Sequence, residues 1–183
     1  MSDAHRARVQ TLSLAVGLLL IGIAGQILFP HFRPPWITAG LFAALTALIW
    51  YDFRHMILPN MFTYPMVLAG LSWTIWSGNS IPHAIIGGAL GYGLVLLINL
   101  IWQARRGMDG MGLGDAKLLA AAGTWMGPFA LAPLILIGSS TALILVIISG
   151  GGLKIDPERR VPFGPFIALG FWACWVLPIV PVV

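Results

Sequence analysis

Charge is what this sequence has least of. Sixteen of its 183 residues are Asp, Glu, Lys or Arg, 9% of the chain, where a soluble domain carries about 25%. Apolar residues make up 58% before the 22 glycines are added. A water-soluble domain has to cover its surface with polar groups, and this composition cannot supply them. The chain therefore reads as an integral membrane protein. Cysteine is nearly absent too: Cys174 stands alone, which excludes an internal disulfide and a CxxC-type zinc site. No His pair has the HExxH spacing of a zinc peptidase, and His31, His55 and His83 stand apart from one another, so no metal is assigned. The net charge of +4 comes from basic residues scattered between apolar runs, which excludes the clustered stripe of a nucleic-acid binder.

What the chain has is long apolar runs. A helix needs about 20 apolar residues to cross the hydrocarbon core. Such runs cover 11–29, 36–51, 61–76, 82–104, 115–126, 128–149 and 162–180. The fifth is short for a span, and a membrane helix can absorb a proline, so the fifth and sixth could fuse through Gly127-Pro128. The expectation is an all-α polytopic helical bundle of seven helices, or six if those two fuse. Seven helices would consume about 140 positions, leaving no room for an extramembrane domain, so residues 1–183 are expected to form one transmembrane domain.

Lys and Arg concentrate in cytoplasmic loops. With seven crossings and a cytoplasmic N-terminus, Arg6, Arg8, Arg54, Arg105, Arg106, Lys117, Lys154, Arg159 and Arg160 all fall inside, and only Arg33 falls outside. The first run is longer than a signal-peptide core of about 7–15 residues and no A-x-A site closes it, so it reads as a helix. Trp36, Trp76 and Trp125 flank helix ends, as interfacial anchors do. The small-residue stretch Gly87-Gly88-Ala89-Leu90-Gly91 suits close helix packing.

The acids are Asp3, Asp52, Asp109, Asp115, Asp156 and Glu158. Asp3, Asp156 and Glu158 belong to a tail or a charged loop, and Asp109 balances Arg105 and Arg106. Asp52 and Asp115 differ, because each sits at the membrane end of an apolar run, where an ionisable group is expensive unless it serves a site or a pathway. Both fall on the cytoplasmic side. Asp115 closes Gly110-Met111-Gly112-Leu113-Gly114-Asp115, whose glycines let another backbone approach and whose amides could pair with an extended peptide. Asp52 is followed by Ile57-Leu58-Pro59-Asn60, where Pro59 sets a turn into the next helix. Two carboxylates held about 3 Å apart share one proton. The ionised member can then take a proton from water while the protonated one polarises a peptide carbonyl. Lys117, two residues after Asp115, reads first as a side chain snorkelling to the interface and second as a group that tunes the aspartate or orders substrate.

Three segments carry a family resemblance: Asp52 through Leu58-Pro59-Asn60, then Gly110-Met111-Gly112-Leu113-Gly114-Asp115-Ala116-Lys117-Leu118-Leu119, then Val161-Pro162-Phe163-Gly164-Pro165-Phe166-Ile167-Ala168-Leu169-Gly170. In this order the chain, from about Trp36 onward, resembles the type IV prepilin peptidases, the GxGD-type membrane aspartic proteases. The resemblance implies an endopeptidase that removes the short basic leader from prepilin or pseudopilin precursors, cutting after the glycine before the mature apolar segment. It implies Asp52 and Asp115 as the catalytic pair. Gly112, Gly114, Lys117, Pro59, Asn60, Pro162, Phe163, Gly164 and Pro165 would bind substrate or shape the site. No cofactor is expected. The partners are the precursor peptides and the lipid bilayer, and association of two copies is left open. The setting would be a bacterial or archaeal cytoplasmic membrane, with the site near its inner face. Bifunctional members carry a further domain with paired CxxC zinc motifs that methylates the new N-terminus. With one cysteine, this chain is expected to be a peptidase only.

Two other readings stay open. Presenilin and signal peptide peptidase also combine Tyr-Asp with Gly-x-Gly-Asp, present here as Tyr51-Asp52 and 112–115, but they carry Pro-Ala-Leu where this chain has Pro-Phe-Gly-Pro. A proton-coupled transporter would use the two acids as relays, although no inverted repeat is visible.

Overall fold

The computed structural model describes residues 33–107, 110–148 and 163–177, together with Ile27 and Ile179. The 11–29 run apart from Ile27, the basic segment 149–162 with its Pro162, and the acids Asp3, Asp109, Asp156 and Glu158 lie outside the described residues.

All regular structure among the described residues is helical. The order is α1 (Pro35–His55), α2 (Asn60–Trp76), α3 (Ile81–Arg106), α4 (Leu113–Met126), a 3-10 turn (Pro128–Ala130), α5 (Leu131–Ile148) and α6 (Gly164–Val176). Each helix overlies one of the apolar runs. The fifth and sixth runs do not fuse. Gly127 adopts φ 78°, its N–H closes onto the Gly123 carbonyl at 2.8 Å, and Pro128 opens the 3-10 turn. A left-handed glycine followed by a residue without an N–H ends one helix and starts another. Among the described residues, three helical stretches are long and apolar enough to cross a membrane: Pro35–His55, Ile81–Arg106 and Pro128–Leu145.

The described residues fall into two compact units, one built from 33–56 with the described part of 134–176, the other from the described part of 57–133 with Leu177 and Ile179. In the first, α1 and α6 run antiparallel. The Trp175 indole N–H donates to Thr38 Oγ1 at 3.2 Å near one end, and the Phe42 and Trp172 rings meet at 5.4 Å. The Arg33 guanidinium lies 4.2 Å from the Trp175 ring. Burial pushes that guanidinium down to about 10, so it stays charged at neutral pH. On another side of α6, a side chain at Gly170 would run into the Leu134 carbonyl, so α5 and α6 meet at backbone distance.

In the second unit α4 is the inner helix. Its 14 residues rise about 21 Å, short of the ~30 Å hydrocarbon core, and all but Lys117 are buried from Ala116 to Met126. Small residues bring its neighbours close. A Cβ on Gly87 would meet the Gly123 backbone, and one on Gly123 would meet that of Gly87, so α3 and α4 touch main chain to main chain. The packing role expected for the 87–91 stretch holds. On the α2 side, Thr74 Oγ1 donates to the Thr124 carbonyl at 3.1 Å.

One expectation is corrected here. Trp36 and Trp76 are exposed, as interfacial anchors are, but Trp125 is only 5% exposed and its indole N–H donates to the Met66 carbonyl at 2.8 Å. The end of α4 is wrapped by α2 and α3, so a tryptophan there is a core residue.

Candidate active site

Asp52 continues the buried stripe of α1. Thr38, Leu41, Leu45, Leu48, Ile49 and Asp52 form that stripe at the spacing of one helix face, so a carboxylate stands where the pattern calls for another Leu. The helix stops directly afterwards: Met56 takes a left-handed φ of 51° and donates its N–H to the Asp52 carbonyl at 2.8 Å.

The Asp52 side chain is 5% exposed. Its carboxylate accepts the backbone N–H of Gly164, in the first turn of α6, where the helix dipole favours negative charge. Oδ2 has no hydrogen-bond partner among the described residues. A buried polar atom left unpaired costs about 1–3 kcal/mol, so it calls for a reason. Gly164 thus both opens a helix and meets Asp52. The Phe163 carbonyl accepts the N–H groups of Phe166 and Ile167, which sets the turn that aims the Gly164 N–H at Asp52.

The remaining site residues gather in the other unit. Pro59, with φ −67° and ψ 140°, is the N-cap of α2, and Asn60 is its first residue. Lys117 of α4 donates from Nζ to Asn60 Oδ1 at 2.5 Å, and the same ammonium lies 5.3 Å from the Tyr64 ring centre. Lys117 is thus a tethered cation and not a freely snorkelling one. Leu58 is buried against Gly114, where an added Cβ would stand 2.8 Å from Leu58 Cβ. The Leu58-Pro59-Asn60 segment is in this way locked to the Gly-Asp helix start at both Gly114 and Lys117.

Gly112 is the N-cap of α4, and its carbonyl accepts the Asp115 N–H at 3.1 Å, which puts Asp115 in the first turn. The two glycines play different parts. Gly114 is demanded by Leu58, whereas Gly112 is exposed, and a Cβ there would make only ordinary contacts, with Asp115 Oδ2 at 3.5 Å and the Gly114 nitrogen at 4.0 Å. The fold does not require glycine at 112, which leaves its surface open to an incoming chain beside the Asp115 carboxylate.

The packing at Gly114 carries a prediction. Gly114→Ala should destabilise the protein by about 1–3 kcal/mol through overpacking. Thermal unfolding of the purified protein measures it, and the penalty should shrink in a Leu58→Gly background; an unchanged penalty would mean that this contact does not matter.

Sequence reasoning missed Asn99. It lies on α3, is 8% exposed, and bonds the backbone of Gly110 and Met111 three times. The available signal was a single Asn inside the 82–104 apolar run, where an unpaired amide would be costly. The histidines have local duties: His55 packs on Tyr51 with ring centres 4.5 Å apart, and His83 Nδ1 pairs with Ser80 Oγ at 2.8 Å. Among the described residues no three His, Cys, Asp or Glu side chains could hold one metal ion.

The sequence profile of the type IV leader peptidase family matches residues 39–147, a stretch that holds Asp52, Pro59, Asn60, Gly112, Gly114, Asp115 and Lys117. A prepilin leader peptidase/N-methyltransferase of Burkholderia pseudomallei is 34% identical over 165 residues, covering 90% of this chain and 53% of that protein. One from Aeromonas hydrophila is 34% identical over 176 residues, covering 91% and 57%, and one from Neisseria gonorrhoeae 31% over 159 residues, covering 84% and 54%. The chain spans about half the length of these curated relatives. No solved structure matches it. With a membrane-type helical fold, a buried aspartate seated on a helix start, and a Gly-x-Gly-Asp helix entry locked to the Leu-Pro-Asn segment, the chain belongs to the type IV leader peptidase family.

Proposed function

We propose that this chain is a membrane aspartic endopeptidase that removes the basic leader from type IV prepilin-like precursors, with Asp52 and Asp115 as its acid-base pair. The observation that carries the reading is the Asp52 carboxylate, buried, with Oδ2 left without a partner among the described residues. An oxygen kept open at that expense suits a proton-transfer role. The leader peptidase profile spans both Asp52 and Asp115, which supports assigning the two acids to one activity.

In this mechanism the ionised aspartate takes a proton from water as the water oxygen attacks the scissile carbonyl. The protonated aspartate donates toward the carbonyl oxygen, and the tetrahedral adduct collapses as a proton passes to the leaving amine. No covalent enzyme intermediate forms. The exposed Gly112 backbone offers a place for the glycine-ended leader to lie close, and the two acids would attract the leader's Lys and Arg. The concentration of Lys and Arg in the loops read as cytoplasmic supports a site near the inner face of a bacterial or archaeal membrane. Of the two activities in the relatives' name, these residues would supply the peptidase, since a single cysteine forms no paired CxxC set.

Purified protein in lipid should shorten a prepilin by its leader, and mass spectrometry of the product should put the new N-terminus directly after the leader's final glycine. A cut within the apolar segment would point instead to presenilin-like chemistry, and no cut would refute the assignment.

A further inference from the structure

Asn99 stands outside every motif discussed above, yet it is the side chain most fully engaged with the Gly-x-Gly-Asp entry. Its Oδ1 accepts the N–H groups of Gly110, at 3.1 Å, and Met111, at 2.8 Å. Its Nδ2 donates to the Met111 carbonyl at 2.8 Å. The amide thus replaces the neighbouring strand that an extended backbone would otherwise need. One turn further along the same face of α3, Trp102 completes the seat: a Cβ on Gly110 would stand 2.7 Å from its Cγ, so only glycine rests on the indole.

We infer that Asn99 is a positioning residue, which clamps the Gly110–Met111 backbone and so sets where the Asp115 carboxylate stands. The linkage is short. Met111 leads directly to the N-cap Gly112, whose carbonyl holds the Asp115 N–H. If the clamp opens, α4 keeps its buried body but its first turn, the part that carries Asp115, is free to fray. The clamp also decides which backbone meets a substrate. Asn99 already occupies both N–H groups at 110 and 111 and the Met111 carbonyl, so strand addition along the whole glycine-rich stretch is ruled out, and an incoming peptide is directed to Gly112.

The kinetic part of this inference rests on the proposed peptidase activity; the structural part does not. The test uses the full chain in lipid, comparing wild type with Asn99→Leu, which removes every bond, and Asn99→Asp, which keeps both acceptor contacts but turns a carboxylate oxygen toward the Met111 carbonyl in place of the donor. Hydrogen exchange is read at the amides of 110, 111 and 115, and kcat and KM are read on a prepilin. In Asn99→Leu, exchange at Gly110 and Met111 should rise about tenfold, as expected for losing one hydrogen bond at each. Exchange at Asp115 should rise with it. kcat should fall by up to about 10²-fold, the effect of a small misplacement of a reacting group, with KM changing far less. Asn99→Asp should keep Gly110 and Met111 protected and lower kcat by a smaller factor.

Unchanged exchange in Asn99→Leu overturns the clamp, and raised exchange with wild-type kcat overturns the positioning role. If Asn99→Leu does not fold, Asn99→Asp decides: a wild-type kcat there overturns the proposal. If the wild-type chain cuts no prepilin, the peptidase reading fails, and raised or unchanged exchange at Asp115 still supports or overturns the clamp.

Discussion

Asp52→Asn should abolish leader cleavage while the protein stays folded. The carbonyl oxygen of the new amide can still accept the Gly164 N–H, so the contact between α1 and α6 survives, and a neutral group replaces a buried charge. Whichever of the two acids is the protonated one, what disappears is the capacity to take or give a proton. General acid-base groups contribute about 10²–10⁴-fold to rate, so at least that loss is expected, with thermal unfolding close to wild type. Asp115→Asn should likewise abolish cleavage, and the Gly112 carbonyl can still hold the main-chain N–H of residue 115. Cleavage assays run beside unfolding curves separate catalysis from stability. A variant of either residue that cuts at the wild-type rate would remove that aspartate from the mechanism.

The largest effect on stability is expected at Gly123. A Cβ on this residue would strike the main chain of Gly87, and main chain has no rotamer with which to move aside. Gly123→Val should therefore push α3 and α4 apart and cost about 3 kcal/mol or more, at the upper end of overpacking penalties. Since α4 is the inner helix of its unit, the contacts of Thr124 and Trp125 with α2 should weaken as well. The readout is a lowered unfolding temperature together with loss of the folded species in size-exclusion chromatography. Gly93→Ala serves as the control. Nothing lies within 4 Å of an added Cβ there, so it should be neutral or stabilising by up to about 1 kcal/mol. Equal behaviour of the two variants would contradict the close α3–α4 approach.

Much of the fold was legible from hydropathy, and the departures have physical causes. The run read as 36–51 becomes a helix over Pro35–His55, because hydropathy marks where apolar residues stop and not where backbone hydrogen bonds stop. The same holds for 82–104, which extends to Arg106. Trp125 was misread because an aromatic near a helix end marks the interface only when that end reaches it, and α4 is an inner helix.

By itself the sequence determined the membrane character, the helical segments and the two conspicuous acids, because scarcity of charge and length of apolar run are properties of composition along the chain. It also singled out 52–60, 110–119 and 161–170 as the segments that carry the family resemblance. Only the tertiary structure decided what they do to one another. The N–H of Gly164 reaches Asp52, Leu58 explains Gly114, Asn60 holds Lys117, and Asn99 holds the glycine-rich entry. These are contacts between residues up to about a hundred positions apart, and a hydrogen bond or a steric fit across that separation leaves no period in the sequence from which it could be read.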